Sequence, residues 1–246
     1  RDVDKVWAHN YEFTLRLLQV CENYNTNIQL VSTSAVYGNN TSFKELDPVY
    51  PQTPYAWSKY LIDKFLKENG YENFGMLVQN FRYFNVYGPG EGHKGDQMSL
   101  VSKFQKQASQ DGVIKLFEGS DKFKRDLVSV HDVAVVHEKM MHETDTCGVF
   151  NLGTGKPSSI NSLVKILGGE KIYLPERPGE PNITCANPKK IKKILKWKPK
   201  VKFENGVKIM LKDIQKWKTA PLWTVSSIKK ATKSWFSYMK NINTNG

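Results

Sequence analysis

Ser32-Thr33-Ser34-Ala35-Val36-Tyr37-Gly38, followed by Tyr55-Ala56-Trp57-Ser58-Lys59, is the stretch from which the rest of the chain can be read. Residues 28–31 ahead of it are a short apolar run, which predicts a buried parallel strand ending in hydroxyl residues. Tyr55 comes 22 residues after Thr33. It follows Thr53-Pro54, an N-cap with proline at the first helical position, so it belongs to the first turn of a helix. Leu61, Ile62, Phe65 and Leu66 supply that helix's apolar stripe, and Gly70 stops it. Tyr55 and Lys59 stand at i and i+4 and share one helix face. An ammonium beside a phenol favours phenolate, lowering a pKa that starts at about 10. Such a phenol can take a proton from a hydroxyl at neutral pH, with Thr33 holding the same hydroxyl by hydrogen bond.

The spacing alone proves little, because Tyr60 and Lys64 repeat it one turn later. The cap separates the two pairs: a first-turn residue can face a cleft, whereas Tyr60 lies in the packed body. The blander reading leaves Tyr55 an ordinary helix-surface tyrosine.

Composition narrows the class. Hydrophobic residues make up 39% of 246, with twelve Phe, eleven Tyr and six Trp, enough for a sizeable core. No run approaches the roughly 18 apolar residues of a membrane span. Cys21, Cys147 and Cys185 are odd in number and widely spaced. That argues for a reducing compartment and against a disulfide scaffold or zinc site. The net charge of +12 comes almost entirely from lysine, densest between Lys189 and Lys200. An Ile/Leu/Trp stripe runs through that tract, which reads as a solvated amphipathic helix. No nucleic-acid partner and no membrane are expected, and an anionic small substrate fits the charge equally well. The chain opens Arg1-Asp2-Val3 without an initiator methionine, so a targeting signal would lie upstream.

Along the chain, 3–24 reads as a helix with a broad apolar face. Residues 76–83 form the next strand and 88–95 a glycine-rich loop. A helix is expected near 99–109, then short strands at 114–118, 127–130 and 149–152, with 132–142 helical between them. Further helices fall at 161–167 and 188–195, a strand at 172–174, and a last helical region at 206–217 ahead of a Trp-rich tail. Alternating strand and helix make the class α/β with a mostly parallel sheet.

Taken together these residues resemble the extended short-chain dehydrogenase/reductase family, specifically its nucleotide-sugar epimerases. The likeness rests on Asn10 within His9-Asn10-Tyr11-Glu12-Phe13-Thr14, the Ser/Thr-Ala-Val-Tyr-Gly strand end and the Tyr55/Lys59 pair. It continues through Arg82-Tyr83-Phe84-Asn85-Val86-Tyr87-Gly88-Pro89, Arg125-Asp126-Leu127-Val128 with Asp132-Val133-Ala134, and Phe150-Asn151-Leu152-Gly153. Glu91-Gly92-His93-Lys94-Gly95 and 115–126 resemble the ADP-glycero-manno-heptose 6-epimerases within that family. The fold so implied is a Rossmann-type doubly wound parallel sheet with a smaller C-terminal α/β substrate-binding region. Residues 1–86 would be the C-terminal half of the dinucleotide-binding domain. Residues 87–240 would be mainly substrate-binding, with 113–153 partly returning to the Rossmann sheet and 241–246 a frayed tail.

The resemblance also implies chemistry: transient oxidation of a nucleotide-linked sugar to a keto intermediate with NADP or NAD, then reduction on the other face. It implies Tyr55, Lys59, Thr33 and Lys94 as the catalytic set, Lys94 being a second acid/base. It places Asn10, Tyr55, Lys59, Val86 and Lys94 at the cofactor. Thr33, Asn85, Asp96, Lys103, Phe117, Glu118, Gly119, Ser120, Arg125 and Arg177 would line the nucleotide-sugar site. A cytoplasmic homo-oligomer is the implied assembly. Blander readings make Lys94 a solvent-facing lysine, Asn85 a turn former and Arg125 a surface partner of Asp126.

There are departures. Serine is usual where Asp96 stands, and Arg177-Pro178-Gly179-Glu180 is typical of UDP-hexose epimerases. A UDP-hexose 4-epimerase or 4,6-dehydratase is therefore the alternative activity, the dehydratase disfavoured by Ser34-Ala35 where Asp-Glu is usual. A non-catalytic binding or interaction module is the alternative of another class. Family members also carry a Gly-x-x-Gly-x-x-Gly turn that seats the cofactor pyrophosphate on a helix N-terminus. Its lack here predicts an N-terminal truncation, or one piece of a split protein, with weak cofactor binding by this chain alone.

Overall fold

The computed structural model describes residues 3–110, 112–175 and 181–212, with the backbone alone at 95–97. In chain order the first elements are α1 (Val3–Trp7), a π turn at Ala8–Glu12, α2 (Phe13–Asn23) and β1 (Ile28–Thr33). The expected single helix over 3–24 is thus one path widened around Asn10, where the Thr14 hydroxyl donates to the Asn10 carbonyl at 2.7 Å. Next come α3 (Pro54–Asn69), β2 (Val78–Tyr83), β3 (Asn85–Tyr87), α4 (Leu100–Gln110), β4 (Val113–Phe117), β5 (Lys124–Arg125), β6 (Leu127–Ser129) and α5 (Val130–His142). The chain continues with β7 (Gly148–Leu152), β8 (Ser158–Ser159), α6 (Ile160–Leu167), β9 (Glu170–Leu174), β10 (Ile183–Thr184), α7 (Lys189–Leu195) and α8 (Phe203–Lys212).

The first sheet is parallel in the order β1-β2-β7, in register so that Thr33 pairs with Tyr83 and Tyr83 with Leu152. Three strand ends therefore finish together, and in open α/β sheets that carboxyl edge is where ligands bind. Helices α2 and α3 cover one face through Leu18, Leu30, Ile62, Leu66 and Val78. Helices α5 and α7 cover the other through Phe81, Val136, Met140, Phe150 and Ile191. Among the described residues β1 is the outer strand of this sheet; Ile28, Leu30 and Ser32 are buried as expected, and Val31 is 43% exposed.

Past β2 the chain builds a second layer. Strand β3 pairs with β6, and β4 with β9, over a core of Val101, Phe104, Ile114, Leu163, Val207 and Met210 shared with α4, α6 and α8. A small sheet in the order β10-β5-β8 joins the two regions. Its two-residue strands have no periodicity to read, which is why sequence inspection misses β5, β8 and β10. The 88–95 stretch, expected to be irregular, winds into a 3₁₀ turn over Gly92–Gln97. Helix α8 meets the core at Gly206, where a Cβ would lie 1.9 Å from the Tyr87 hydroxyl oxygen. Among the described residues no helix is long and apolar enough to cross a membrane. The Trp-rich tail and the 241–246 segment lie outside the described residues.

Candidate active site

The site begins where β1 ends. Thr33 is still extended, and its side-chain oxygen accepts from the Ala35 amide at 3.2 Å, capping the 3₁₀ turn Ser34–Tyr37. Gly38 closes that turn at φ +58°, ψ −128°. A Cβ there would stand 2.0 Å from the Tyr50 carbonyl oxygen, so only glycine fits the crossing. The loop then returns to α3, which starts as read: Thr53 accepts from the Ala56 amide at 3.1 Å and Pro54 takes the first helical position.

This geometry brings Tyr55 near Thr33, close enough for the threonine hydroxyl to favour the ionised phenol. Tyr55 is 38% exposed, so the pair is reachable from outside. The decoy pair behaves differently. Tyr60 packs edge-on against Trp57 at 5.6 Å, and Lys64 forms a surface pair with Glu68 at 3.6 Å.

The expected tuning of the phenol is not what the structure holds. Partial burial raises the Tyr55 pKa, and the Thr33 hydroxyl is the opposing influence. Lys59 instead lines a small, partly open cavity of about 80 Å³ together with Asn10, Thr14, Ser32, Asp63 and Asn80. Burial lowers the Lys59 pKa while the Asp63 carboxylate opposes it. The Ser32 hydroxyl is buried without a hydrogen-bond partner.

Sequence reading overlooked what lies behind Lys59. Asp63 is 4% exposed; it accepts from Asn80 Nδ2 at 2.6 Å and pairs with Arg82 Nε at 2.7 Å. Arg82 in turn donates to the Tyr37 hydroxyl at 3.0 Å, and that hydroxyl reaches Asn151 Oδ1 at 2.8 Å. Burial pushes the Tyr37 phenol up and keeps it neutral within this knot. The signal available in the sequence was position: Tyr55, Lys59 and Asp63 repeat at i, i+4 and i+8 on one helix face.

The expected substrate-side residues form a second group. Asn85 is half-buried and donates through Nδ2 to the Asp126 carbonyl and the Thr184 hydroxyl, both at 3.3 Å, so it is more than a turn former. Arg125, expected under the bland reading to be a surface partner of Asp126, is 5% exposed. Its guanidinium donates to the Lys124 and Asn182 carbonyls and lies 5.0 Å from the Phe123 ring centroid. The Asp126 carboxylate is filled by the amides of Thr154, Gly155 and Ala186. Ser120 is buried with an unpartnered hydroxyl, whereas Glu118 and Gly119 are exposed and Phe117 is half-buried at the end of β4. Val86 packs beside the Phe81 cluster, and Lys103 is half-buried on α4.

Lys94 is exposed, and its ammonium pairs with Glu91 at 3.1 Å. Glu91 also accepts from the Ser99 amide and the Ser99 and Ser102 hydroxyls, tying the 92–97 turn to the start of α4. The side chain of Asp96, and Arg177 entirely, lie outside the described residues. A larger cleft of about 990 Å³ lies elsewhere, between Asn39–Phe43 and 181–189. It is lined by none of the expected site residues, and its size alone assigns it no chemistry.

Comparison with known proteins places these features in context. The model of the NAD dependent epimerase/dehydratase family matches residues 1–153. The ADP-L-glycero-D-manno-heptose-6-epimerase of Brachyspira hyodysenteriae is 36% identical over 162 residues, 65% of this chain and 51% of that protein. The chain thus spans about half the length of this curated relative. The solved ADP-L-glycero-D-manno-heptose-6-epimerase of Helicobacter pylori aligns with a TM-score of 0.74 at 28% identity, covering 84% of this chain and 65% of its own. The UDP-glucose 4-epimerase of Thermotoga maritima, solved with UDP-glucose, aligns with a TM-score of 0.79 at 28% identity, covering 88% and 72%.

Proposed function

This chain belongs to the NAD dependent epimerase/dehydratase family, and from that premise we propose that it serves the NAD(P)-dependent epimerisation of a nucleotide-linked sugar, with ADP-glycero-manno-heptose the favoured substrate. The observation that carries the reading is the approach of the Tyr55 phenol to the Thr33 hydroxyl at the carboxyl edge of a parallel sheet. One tyrosine and one threonine hydroxyl there can hold and deprotonate the same sugar hydroxyl. The residues present fit the nicotinamide end of a dinucleotide: Tyr55 is open to the outside, and the Lys59 ammonium lies one turn along the same face. Tyr55, Lys59, Asn10 and Val86 would hold that end, with Lys94 approaching from its own turn. The bound cofactor would supply a reversible hydride acceptor.

The roles of the chain's own groups follow from their charges. Tyr55 starts as a neutral phenol, because burial raises its pKa. To act as a base it needs a cation near its oxygen, and Lys59 is the cation this helix offers. Lys94, paired with Glu91, would be the second acid/base. Asn85, Arg125, Ser120, Phe117, Glu118, Gly119 and Lys103 would line the sugar nucleotide, joined by Asp96 and Arg177. Residues 1–86 would be the cofactor-side unit and 87–240 mainly the substrate-side unit, in a cytoplasmic homo-oligomer.

Turnover decides between readings. The natural protein, isolated from its source, is incubated with NAD or NADP and either ADP-heptose or UDP-glucose. Epimerised ADP-heptose supports the proposal. Turnover of UDP-glucose alone supports the second reading, a UDP-hexose 4-epimerase, which the Arg177-Pro178-Gly179-Glu180 segment and the likeness to the Thermotoga maritima enzyme favour. Turnover of neither, with retained binding of the nucleotide-sugar, identifies a non-catalytic module.

A further inference from the structure

Lys59 faces a small polar chamber whose other ionisable wall is Asp63. The chamber holds about 80 Å³, and its remaining polar lining is neutral: Asn10 from the π turn, Thr14 from α2, Ser32 from β1 and Asn80 from β2. A space of that size admits several water molecules, each of which needs about 10–15 Å³ by this measure. Lys59 makes no direct hydrogen bond among the described residues; its electrostatic partner is Asp63, one helical turn on. The carboxylate of Asp63 cannot swing away, because Asn80 takes one oxygen and Arg82 the other. Each carboxylate oxygen keeps a further lone pair, and Asp63 lines the same chamber as Lys59.

We propose that Asp63 is a positioning residue that acts through Lys59, its anchored carboxylate in the wall of their shared chamber keeping the ammonium in its charged form. The inference rests on the proposed role of Lys59 beside Tyr55. Burial alone pushes Lys59 toward the neutral amine, and a neutral amine cannot favour phenolate on Tyr55. Asp63 opposes that drift. The other ionisable groups on this face meet Asp63 or stand apart from the chamber. Arg82 pairs with Asp63 from the sheet, Tyr71 feels its charge from the 71–74 turn, and Tyr37 bonds to Arg82. Tyr55 itself lies near Thr33.

The test titrates Lys59 directly. Lysines are reductively methylated with ¹³C-formaldehyde in the protein free of cofactor and sugar, and the Lys59 signal is followed against pH by NMR. In Asp63→Asn the Lys59 midpoint falls by about one pH unit or more, a roughly tenfold larger amine fraction at a given pH. Asp63→Glu restores it. An unchanged midpoint in a folded Asp63→Asn protein overturns the proposal. If that variant does not fold, the Asp63→Asn/Arg82→Gln protein, which leaves no lone buried charge, carries the same reading. A loss of kcat without any Lys59 shift also overturns it, since Asp63 would then act only through Arg82. The titration uses neither sugar nor cofactor, so failure of the epimerase reading shows in turnover and leaves this measurement intact.

Discussion

The Tyr55 hydroxyl is a phenol whose pKa burial raises, lying near Thr33, and this sets what its removal should do. Tyr55→Phe deletes the proton carrier while keeping the ring, so kcat should fall roughly a hundred- to ten-thousand-fold with sugar-nucleotide affinity little changed. Turnover kinetics beside a binding titration check this, and unchanged kcat would remove Tyr55 from the chemistry. Gly38 makes a complementary case about shape. Its φ of +58° and the Tyr50 carbonyl 2.0 Å from a Cβ leave no room for alanine. Gly38→Ala should therefore destabilise the chain by more than about 2 kcal/mol, read as a lower urea midpoint. The placement of Tyr55 was legible in the sequence, because caps act through bonds to near neighbours, whereas the demand for glycine at Gly38 comes from the crossing with Tyr50. The direction of the Tyr55 pKa was not legible either, since it depends on how far the folded chain buries the phenol.

Helix α5 lies on the face of the sheet opposite α3 and carries a group that sequence reading passed over. His137 Nε2 lies 2.5 Å from the Tyr83 hydroxyl, and Nδ1 lies 2.7 Å from Gln29 Oε1. A neutral ring, donating to Gln29 and accepting from Tyr83, satisfies both contacts. Burial lowers the His137 pKa from its ordinary 6.5. The unfolded chain then takes up the proton first as pH falls, so stability present above 6.5 is lost progressively below it. The urea midpoint should drop between about pH 7.5 and pH 5.5, and His137→Gln should flatten that drop. A wild-type midpoint that holds steady would contradict this account. The same sheet contains the Asp63–Arg82 pair on its other side, both partners nearly buried. Arg82→Met strands the carboxylate and should cost about 3–5 kcal/mol, measured by denaturant unfolding. The strand and helix periods that produce these elements were plain in the sequence. The partners were not, since Gln29 and His137 are 108 residues apart and meet only when β1 and α5 stack.

Across the whole molecule, the second layer closes by bringing α8 against β3. Gly206 allows the Tyr87 hydroxyl to pass at a distance no side chain would tolerate. Gly206→Ala should push α8 off this core and lower the thermal midpoint by several degrees while leaving the β1-β2-β7 sheet folded. Loss of far-ultraviolet signal throughout the protein would mean that the two layers fold as one unit. Local composition alone determined the α/β class, the cap that places Tyr55 in a first turn, and the hydroxyl at the end of β1. These depend on residues within a few positions of one another, where backbone geometry leaves few choices. Only the folded chain decided that Lys59 faces a chamber shared with Asp63, that Lys94 is held by Glu91, and that Arg125 is buried. Charge, burial and hydrogen-bond partners at those positions depend on which distant segments stack against them, and no spacing along the chain encodes that contact.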